Sequence, residues 1–427
     1  MHLDFGDKNI QKQMYKGYFG LEKESLRVTE DGFISHSPHP FSDNPNIDRD
    51  FCESQIEIVT DVFDNIDALY KQLGDLHKVA VKTLNTLPSG KEYVWSFSNP
   101  PFIQSEADIP IARYNGVLKG KEFYRQYLAQ KYGRRKMLFS GIHFNFSLNE
   151  DLLKKGFEQN GYTDFKNYTN QLYLNLAQRI TQYSWLIVWL TAASPVMDGS
   201  FLSDEAVRTD YTNNYASARC SEIGYWNDFI PILSYCSLTD YIQSIQSYIQ
   251  SEQIVSASEL YYPVRLKPKG ENTLENLEVY GIDHIELRML DLNPLSPIGL
   301  IKSDLEFLHF FILFLLSLED DDFSPSEQIS AIKNMKNAAK FNADDIQIEL
   351  GWNDVRSVKQ AALFVLERMA DFFKTYNQEY ALQNIEIQKN KILHSSEQRY
   401  AEIIRKKFGK DYVYKGLSLM RHYAENI

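Results

Sequence analysis

Two periods alternate along this chain. Apolar residues recur at helical spacing over 62–86 (VFDNIDALYKQLGDLHKVAVKTLNT), 170–190 (NQLYLNLAQRITQYSWLIVWL) and 303–318, the pattern of helices with one apolar face or of wholly buried ones. Residues 325–427 are also mostly helical in pattern and rich in Lys, Glu and Gln. Between the helices lie short runs of period two, which predict strands with one face on a core and the other face free. In 142–148 (IHFNFSL), His143, Asn145 and Ser147 alternate with Phe144, Phe146 and Leu148. In 284–290 (HIELRML), His284, Glu286 and Arg288 alternate with Ile285, Leu287 and Met289. In 50–59 (DFCESQIEIV), Phe51, Glu53, Gln55 and Glu57 share one side, with Cys52, Ile56 and Ile58 on the other. In 20–28 (GLEKESLRV), Glu22 and Glu24 fall on one side if the segment is a strand. Proline and glycine punctuate 98–102, 193–200 and 267–272, but none of these stretches has the composition of a flexible linker. One domain over 1–427 is expected, with a sheet-bearing core over about 15–320 and a mostly helical part over about 325–427.

The polar side of these strands offers metal-binding and anion-binding groups rather than an ordinary Lys, Thr and Ser surface. Side chains two apart on a strand stand roughly 7 Å from each other. At an effective dielectric of about 20, two carboxylates at that distance repel by about 2 kcal/mol. Water and salt remove most of this on an open surface, whereas carboxylates gathered from several strands onto one face accumulate it. A divalent cation such as Mg²⁺ offsets the cost, and such hard ions are commonly shared between carboxylates and substrate phosphates. His143 could add a nitrogen ligand or meet a phosphate oxygen, and Arg288 could reach a phosphate beside the metal. Any one Glu-x-Glu alone reads as a solvated strand edge, and Glu286 with Arg288 as a surface ion pair. Four such segments together point to a metal–nucleotide site on a sheet. The sequence contains neither GxxxxGK[ST] nor GxGxxG, so metals and arginines would have to hold a nucleotide.

Composition narrows the classes. The 427 residues are 44% hydrophobic and 14% aromatic, enough for a large core. A net charge of −12 and a pI near 5.3 predict no nucleic-acid and no anionic-membrane partner. The three cysteines, Cys52, Cys220 and Cys236, are scattered without CxxC spacing, which suits a reducing cytoplasm and argues against a zinc site or a disulfide scaffold. The first residues, MHLDFGDKNIQKQ, contain no apolar signal-peptide core. The most hydrophobic run, FLHFFILFLLSL at 307–318, is too short to span a bilayer and includes His309; a buried helix is expected.

The segments GLEKESLRV, DFCESQIEIVT, SGIHFNFSL, and ELYYPVRLK followed by HIELRMLDLNPLSPIG resemble bacterial glutamate–cysteine ligase (γ-glutamylcysteine synthetase), including the ligase portion of fused bifunctional glutathione synthetases. The resemblance runs in order from about residue 15 to about 320, with LDLNPLSPIG at 290–299 its most specific string. It implies an α+β fold: a glutamine-synthetase-like curved, mainly antiparallel sheet with the active site on its concave face and helices outside. It implies ATP as a substrate and two or three Mg²⁺, with Mn²⁺ as a substitute. The γ-carboxylate of L-glutamate would attack the γ-phosphate of ATP, and the amine of L-cysteine would then attack the γ-glutamyl phosphate.

Position by position, the resemblance places Glu22, Glu24, Asp50, Glu57, His143 and Glu286 as metal ligands, and Arg288 as a phosphate-binding, catalytic arginine. Arg265 and Lys267, in the ELYYPVRLK segment, would face ATP. Arg219, in ARCSEIGYWN, would meet the substrate or the transferred phosphoryl group. Phe51, Tyr124, Leu128, Tyr225 and Tyr261 would wall the acceptor pocket, with Met137 standing where the family has glutamine. That departure leaves the acceptor open between cysteine and another small amine, and a catalytically silent homologue remains a third class. No Ser, Cys or His nucleophile is required, so Cys52 and Cys220 read as packing residues. The resemblance does not name a general base or an oligomeric state. Nothing after 325 resembles a second ATP-binding module, so the chain is not expected to make glutathione unaided.

Overall fold

A thirteen-residue strand, β1 (Gly17–Thr29), organises the molecule. The structure, a computed structural model, describes residues 2–202, 210–212, 214–319, 323–341, 345–351 and 354–426. The main sheet has the order β2-β3-β1-β5-β9-β8 and is antiparallel throughout. Its strands are β2 (Ile47–Arg49), β3 (Gln55–Val59), β5 (Gly141–Leu148), β8 (Val264–Lys267) and β9 (His284–Asp291), around β1. A short β4 (Glu92–Val94) pairs with the far end of β1. Two small pairs lie apart, β6 (Val196–Asp198) with β7 (Asp210–Thr212), and β10 (Gln347–Glu349) with β11 (Val355–Ser357).

The register brings the sequence's polar positions side by side. Glu22 lies opposite His143, Glu24 opposite Glu57, and Glu286 opposite both Asn145 and Arg265. The other face of the same strands carries Leu21, Ile56, Ile58, Phe144, Phe146, Ile285 and Leu287 into the main core. That core is completed by the long helix Phe165–Thr191 and the apolar helix Lys302–Ser317. A register shift between β5 and β9 inserts an extra residue opposite His143. Such a bulge breaks the alternation, so Met289 and Leu290 both enter the core. On β1 the apolar side changes along the strand: Phe19 and Leu21 face the main core, whereas Leu26 and Val28 enter a second core with Trp95, Phe97, Met137 and Phe139.

Two sequence expectations need correction. The expected strand over 50–59 is a strand only from Gln55, because a turn closes before it: the Gln55 amide donates to the Cys52 carbonyl at 3.0 Å. Glu53 therefore leaves the shared face and accepts from the His39 and Arg113 amides instead. The expected free face is not free either. Glu286 is wholly buried, His143 is 4% and Glu24 8% exposed, so Glu286 and Arg288 are not a surface pair.

Helix boundaries follow caps rather than apolar periods. Asn65 accepts from the Ala68 amide and starts its helix at Ile66, four residues after the pattern begins; Asp164 starts the long helix at Phe165, ahead of the periodic stretch. Among its described residues the C-terminal part has helices and one strand pair, β10 with β11, which periodicity did not reveal. It is docked by buried polar contacts: Tyr412 donates to the Asn99 carbonyl, and Lys391 to Asp304. No helix among the described residues is long and apolar enough to cross a membrane.

His309, in the apolar helix, is buried among Phe19, Phe146 and Phe310, and its Nε2 has no hydrogen-bond partner. Burial pushes its pKa from 6.5 down to about 3. The folded state thus keeps a neutral imidazole over a range where the unfolded chain takes up a proton. Stability from this group is complete above the unfolded value and is lost as pH falls toward the folded one. Chemical denaturation should show a loss of about 1.4 kcal/mol per pH unit between roughly pH 6 and 4 from this residue alone. His309→Phe should remove that slope relative to the wild type; parallel pH profiles would refute the assignment.

Candidate active site

The polar face of the sheet lines a cavity of about 500 Å³. Its floor is Glu22 and Glu24 from β1, Glu57 from β3, His143 from β5, Arg265 and Lys267 from β8, and Glu286 and Arg288 from β9. Asp50 and Phe51 enter from the turn before β3, and Tyr124 and Leu128 from the helix Lys119–Tyr132. Met137 leads into β5, Arg219 and Tyr225 come from the loop before the helix Leu238–Gln250, and Tyr261 precedes β8. Every residue to which the resemblance gave a role therefore lines one cavity, whereas Glu53, Gln55, Asn145, Ser147 and His284 of the polar faces do not.

The cavity is zoned by charge. At the β8–β9 end, Glu286 forms an ion pair with Arg288, lies 2.6 Å from Lys267 Nζ and 3.8 Å from Arg265. Burial works against its ionisation, but Arg288, Arg265 and Lys267 outweigh that and hold its carboxyl well below the usual range. In the middle, Glu22 Oε2 is 3.1 Å from His143 Nδ1, and Asn145 Nδ2 donates to Glu22 Oε1 at 3.1 Å. Burial and Glu286 push Glu22 up, yet the His143 contact and Lys267 leave it below the ordinary value. At the β3 end the balance reverses. Burial and Asp50 raise Glu24, although the Gly141 amide donates to its Oε2 at 2.9 Å. Glu57 is raised furthest, by burial and then by Asp50, Glu22 and Glu24. Among the described residues no hydrogen bond or ion pair reaches the side chains of Glu57 or Asp50.

This donor set fits a hard divalent cation. Glu22, His143 and Glu286 each offer a ligand atom, all within 4.8 Å of one another, and the carboxylates without partners beside them are groups a dication would stabilise. The cations at the other end suit phosphate oxygens. Arg219 lies flat against Gly141: a Cβ there would stand 2.2 Å from the guanidinium carbon. The remaining wall is aromatic. Tyr225 and Tyr261 pack as a tilted pair, with ring planes at 50° and centroids 3.9 Å apart, their hydroxyls in contact.

Lys121, Arg125, Phe139, Trp226, Ser258, Tyr262 and Asn272 also line the cavity and were not singled out in the sequence. Lys121 and Arg125 were accessible to it, since they share a helix face with Tyr124 and Leu128 at spacings of three and four. Arg125 is tied down, donating to the carbonyls of Asp50 and Arg49. Ser258 and Asn272 carry no signal in the sequence.

The model of the family described as glutamate-cysteine ligase matches residues 4–256 and 250–338. The "Glutathione biosynthesis bifunctional protein GshAB" of Listeria monocytogenes is 36% identical over 437 residues, covering 98% of this chain and 56% of that protein. Its namesake in Clostridium perfringens is 37% identical over 342 residues, 77% of this chain and 43% of that one. The chain spans about half the length of the curated relatives it matches. Among solved structures, a bifunctional glutathione synthetase from Pasteurella multocida superposes with a TM-score of 0.83 at 26% identity, covering 99% of this chain and 54% of that one. A glutamate–cysteine ligase from Francisella tularensis in complex with AMP gives 0.84 at 22% identity over 96% and 89% of the two chains, a likeness of fold.

Raised carboxyls must lose their protons before they can hold a cation. Calorimetric titration with Mg²⁺ or Mn²⁺ in two buffers of different ionisation enthalpy should therefore show proton release, and affinity should rise between about pH 5 and 8. In Glu57→Gln both effects should shrink while the metal-free protein melts no lower than the wild type, because a repelling charge is gone. Undiminished affinity in that variant would place the cation elsewhere.

Proposed function

The chain belongs to the glutamate–cysteine ligase family, and from that premise we propose that it joins the γ-carboxylate of L-glutamate to the amine of L-cysteine at the expense of ATP, the first step of glutathione biosynthesis. The observation that carries this reading is the zoning of one cavity into acidic and imidazole donors, cations, and an aromatic wall. In this reading Glu22, Glu24, Asp50, Glu57, His143 and Glu286 hold divalent metal, and Mg²⁺ is the natural ion for oxygen donors and phosphates. The sheet is then of the curved, glutamine-synthetase-like kind with the cavity on its concave side, within a single domain that includes the C-terminal helices. The unpaired cysteines suit a reducing cytoplasm.

The reaction assigns work to each zone. Two anions must meet, so Arg265, Lys267 and Arg288 neutralise the ATP phosphates and align the γ-phosphorus with the attacking γ-carboxylate oxygen. Bound metal adds charge stabilisation to the same phosphates. The P–O bond to ADP breaks as the acyl phosphate forms, and Arg219 meets the transferred phosphoryl group. Phosphoryl transfer asks the protein mainly for position and charge. The acceptor nitrogen, having lost its proton, then attacks the γ-carbonyl carbon, and phosphate departs. Tyr225, Tyr261, Tyr124, Phe51 and Leu128 hold the acceptor and keep water from the acyl phosphate. Cys52 and Cys220 are buried, and burial pushes both thiols up to about 12, so neither supplies a nucleophile.

A second acceptor is favoured by one observation. Met137 lines the cavity and offers no hydrogen bond where the family has glutamine, a wall that suits an apolar amine as well as cysteine. Purified protein incubated with ATP, Mg²⁺, L-glutamate and a panel of amines separates the two, with ADP release and product mass as readouts. Cysteine should give the fastest turnover. Another amine far exceeding it would reassign the acceptor, and Mg–ATP binding without turnover on any amine would reject the ligase reading.

Arg219 provides a sharper test. Gly141→Ala places a methyl group in the guanidinium and should lower kcat by about 100-fold, with ATP affinity changed by no more than about threefold. Wild-type kcat in this variant would remove Arg219 from the phosphoryl site.

A further inference from the structure

Behind the aromatic wall lies a carboxylate that does not line the cavity. Glu259 is fully buried, in a short turn (Ala257–Glu259) ahead of β8. Its Oε1 accepts from the Tyr132 hydroxyl at 2.8 Å, from Lys131 Nζ at 2.5 Å and from the Tyr127 hydroxyl at 3.2 Å. All three donors sit in the C-terminal half of the helix Lys119–Tyr132, which also carries Tyr124 and Leu128. Its Oε2 accepts from the Val255 amide at 2.7 Å. Its carbonyl accepts from Asn227 Nδ2 at 2.9 Å. Asn227 also donates to the Tyr132 hydroxyl at 3.0 Å and accepts from the Tyr261 amide at 2.8 Å.

These contacts meet at the Tyr225–Tyr261 pair. The Tyr132 ring packs edge-on against Tyr225 and Tyr261, with centroids 5.3 and 5.8 Å away. The stretch from Ser251 to Pro263 has no strand or long helix of its own, so side-chain bonds join the backbone bonds at its two ends, Gln253 and Ile254 to the Tyr248 carbonyl and Arg288 to the Pro263 carbonyl, in setting its position. A buried carboxylate is tolerated only when strong donors surround it. Here they come from two separate chain segments, so the group acts as a clamp between them.

We propose that Glu259 is a positioning residue for the amine acceptor: it clamps the 251–262 segment to the helix Lys119–Tyr132 and thereby fixes the spacing between the Tyr225–Tyr261 wall and the Tyr124–Leu128 wall. The proposal rests on the ligase reading of the cavity and goes beyond it, since Glu259 touches no substrate. ATP is gripped from β8 and β9 by Arg265, Lys267 and Arg288; of these Arg265 reaches the segment, donating to the Ser258 and Leu260 carbonyls, so the consequence falls first on the acceptor. Loosening the clamp weakens acceptor binding more than nucleotide binding.

Glu259→Gln keeps the shape and removes the charge; Tyr132→Phe keeps the ring and removes two hydrogen bonds. Steady-state kinetics on the amine that the wild type uses best should show an acceptor KM raised about tenfold in Glu259→Gln and about threefold in Tyr132→Phe, with KM for ATP and kcat within about twofold of the wild type. Unchanged acceptor KM, or equal deterioration of acceptor, glutamate and ATP constants, overturns the proposal. If the wild type turns over no amine, the ligase reading fails separately. Hydrogen exchange then decides the clamp: faster exchange of residues 251–262 in Glu259→Gln supports it, and unchanged protection overturns it.

Discussion

Five carboxylates, those of Glu22, Glu24, Asp50, Glu57 and Glu286, share one cavity, and the cost of that crowding governs what surrounds them. The protein compensates them unequally. Glu286 is enclosed by three cationic side chains, Glu22 by an imidazole and an amide, and Glu24 by a backbone N–H and His143. The carboxylates of Glu57 and Asp50 receive no hydrogen bond or ion pair among the described residues. A cation entering the β3 end would relieve repulsion that the protein leaves standing. One entering between Glu22, His143 and Glu286 would find its donors already gathered. The β3 end and the Glu22–His143–Glu286 cluster would invite positive charge for different reasons.

The cationic side chains serve the same constraint from the other side. Arg265, Lys267 and Arg288 lie within one sheet end, where they would repel one another, and burial with Arg288 lowers the Arg265 pKa. Glu286 holds them together before any phosphate is present. In the proposed reaction a triphosphate would meet a preformed cradle there, and position rather than covalent chemistry is what phosphoryl transfer demands of a protein.

Much of this was legible because a strand has a period of two, which tells which residues share a face without knowing the fold. His143 and Glu286 declare themselves that way, and so do Glu22 and Glu24. Periodicity could not show that the four faces are one face; that depends on register, and register comes from long-range pairing such as Glu24 with Glu57. The resemblance to known ligases supplied the grouping instead. Local pattern failed where a turn or bulge interrupts the strand, at Cys52–Gln55 and at Met289–Leu290. It was silent where a residue acts through backbone bonds, as Arg125 does on Asp50, and where a polar group is buried for support, as Glu259 is.

The string most specific to the family, LDLNPLSPIG, illustrates that last class, for most of it stands behind the site rather than in it. Asp291 is buried and accepts from the Ala193 amide and from the hydroxyls of Ser194 and Ser217. It thereby fastens the loop that carries Arg219, whose guanidinium rests on Gly141, the residue paired with Asp291 across β5 and β9. Gly299, at φ +80°, closes a turn onto Lys23, and a Cβ there would stand 3.3 Å from Lys23 Cε. Lys23 lies between Glu22 and Glu24 in sequence but on the opposite face of β1, fully buried, with Nζ 3.1 Å from His77 Nδ1. Burial pushes its pKa down to about 7. The turn, the helix Ile66–Asn85 and β1 therefore meet at one buried amine. The strand that presents two carboxylates to the cavity is thus held from behind by groups that never reach it. A sequence signature of this kind marks support for the reacting groups as much as the reacting groups themselves.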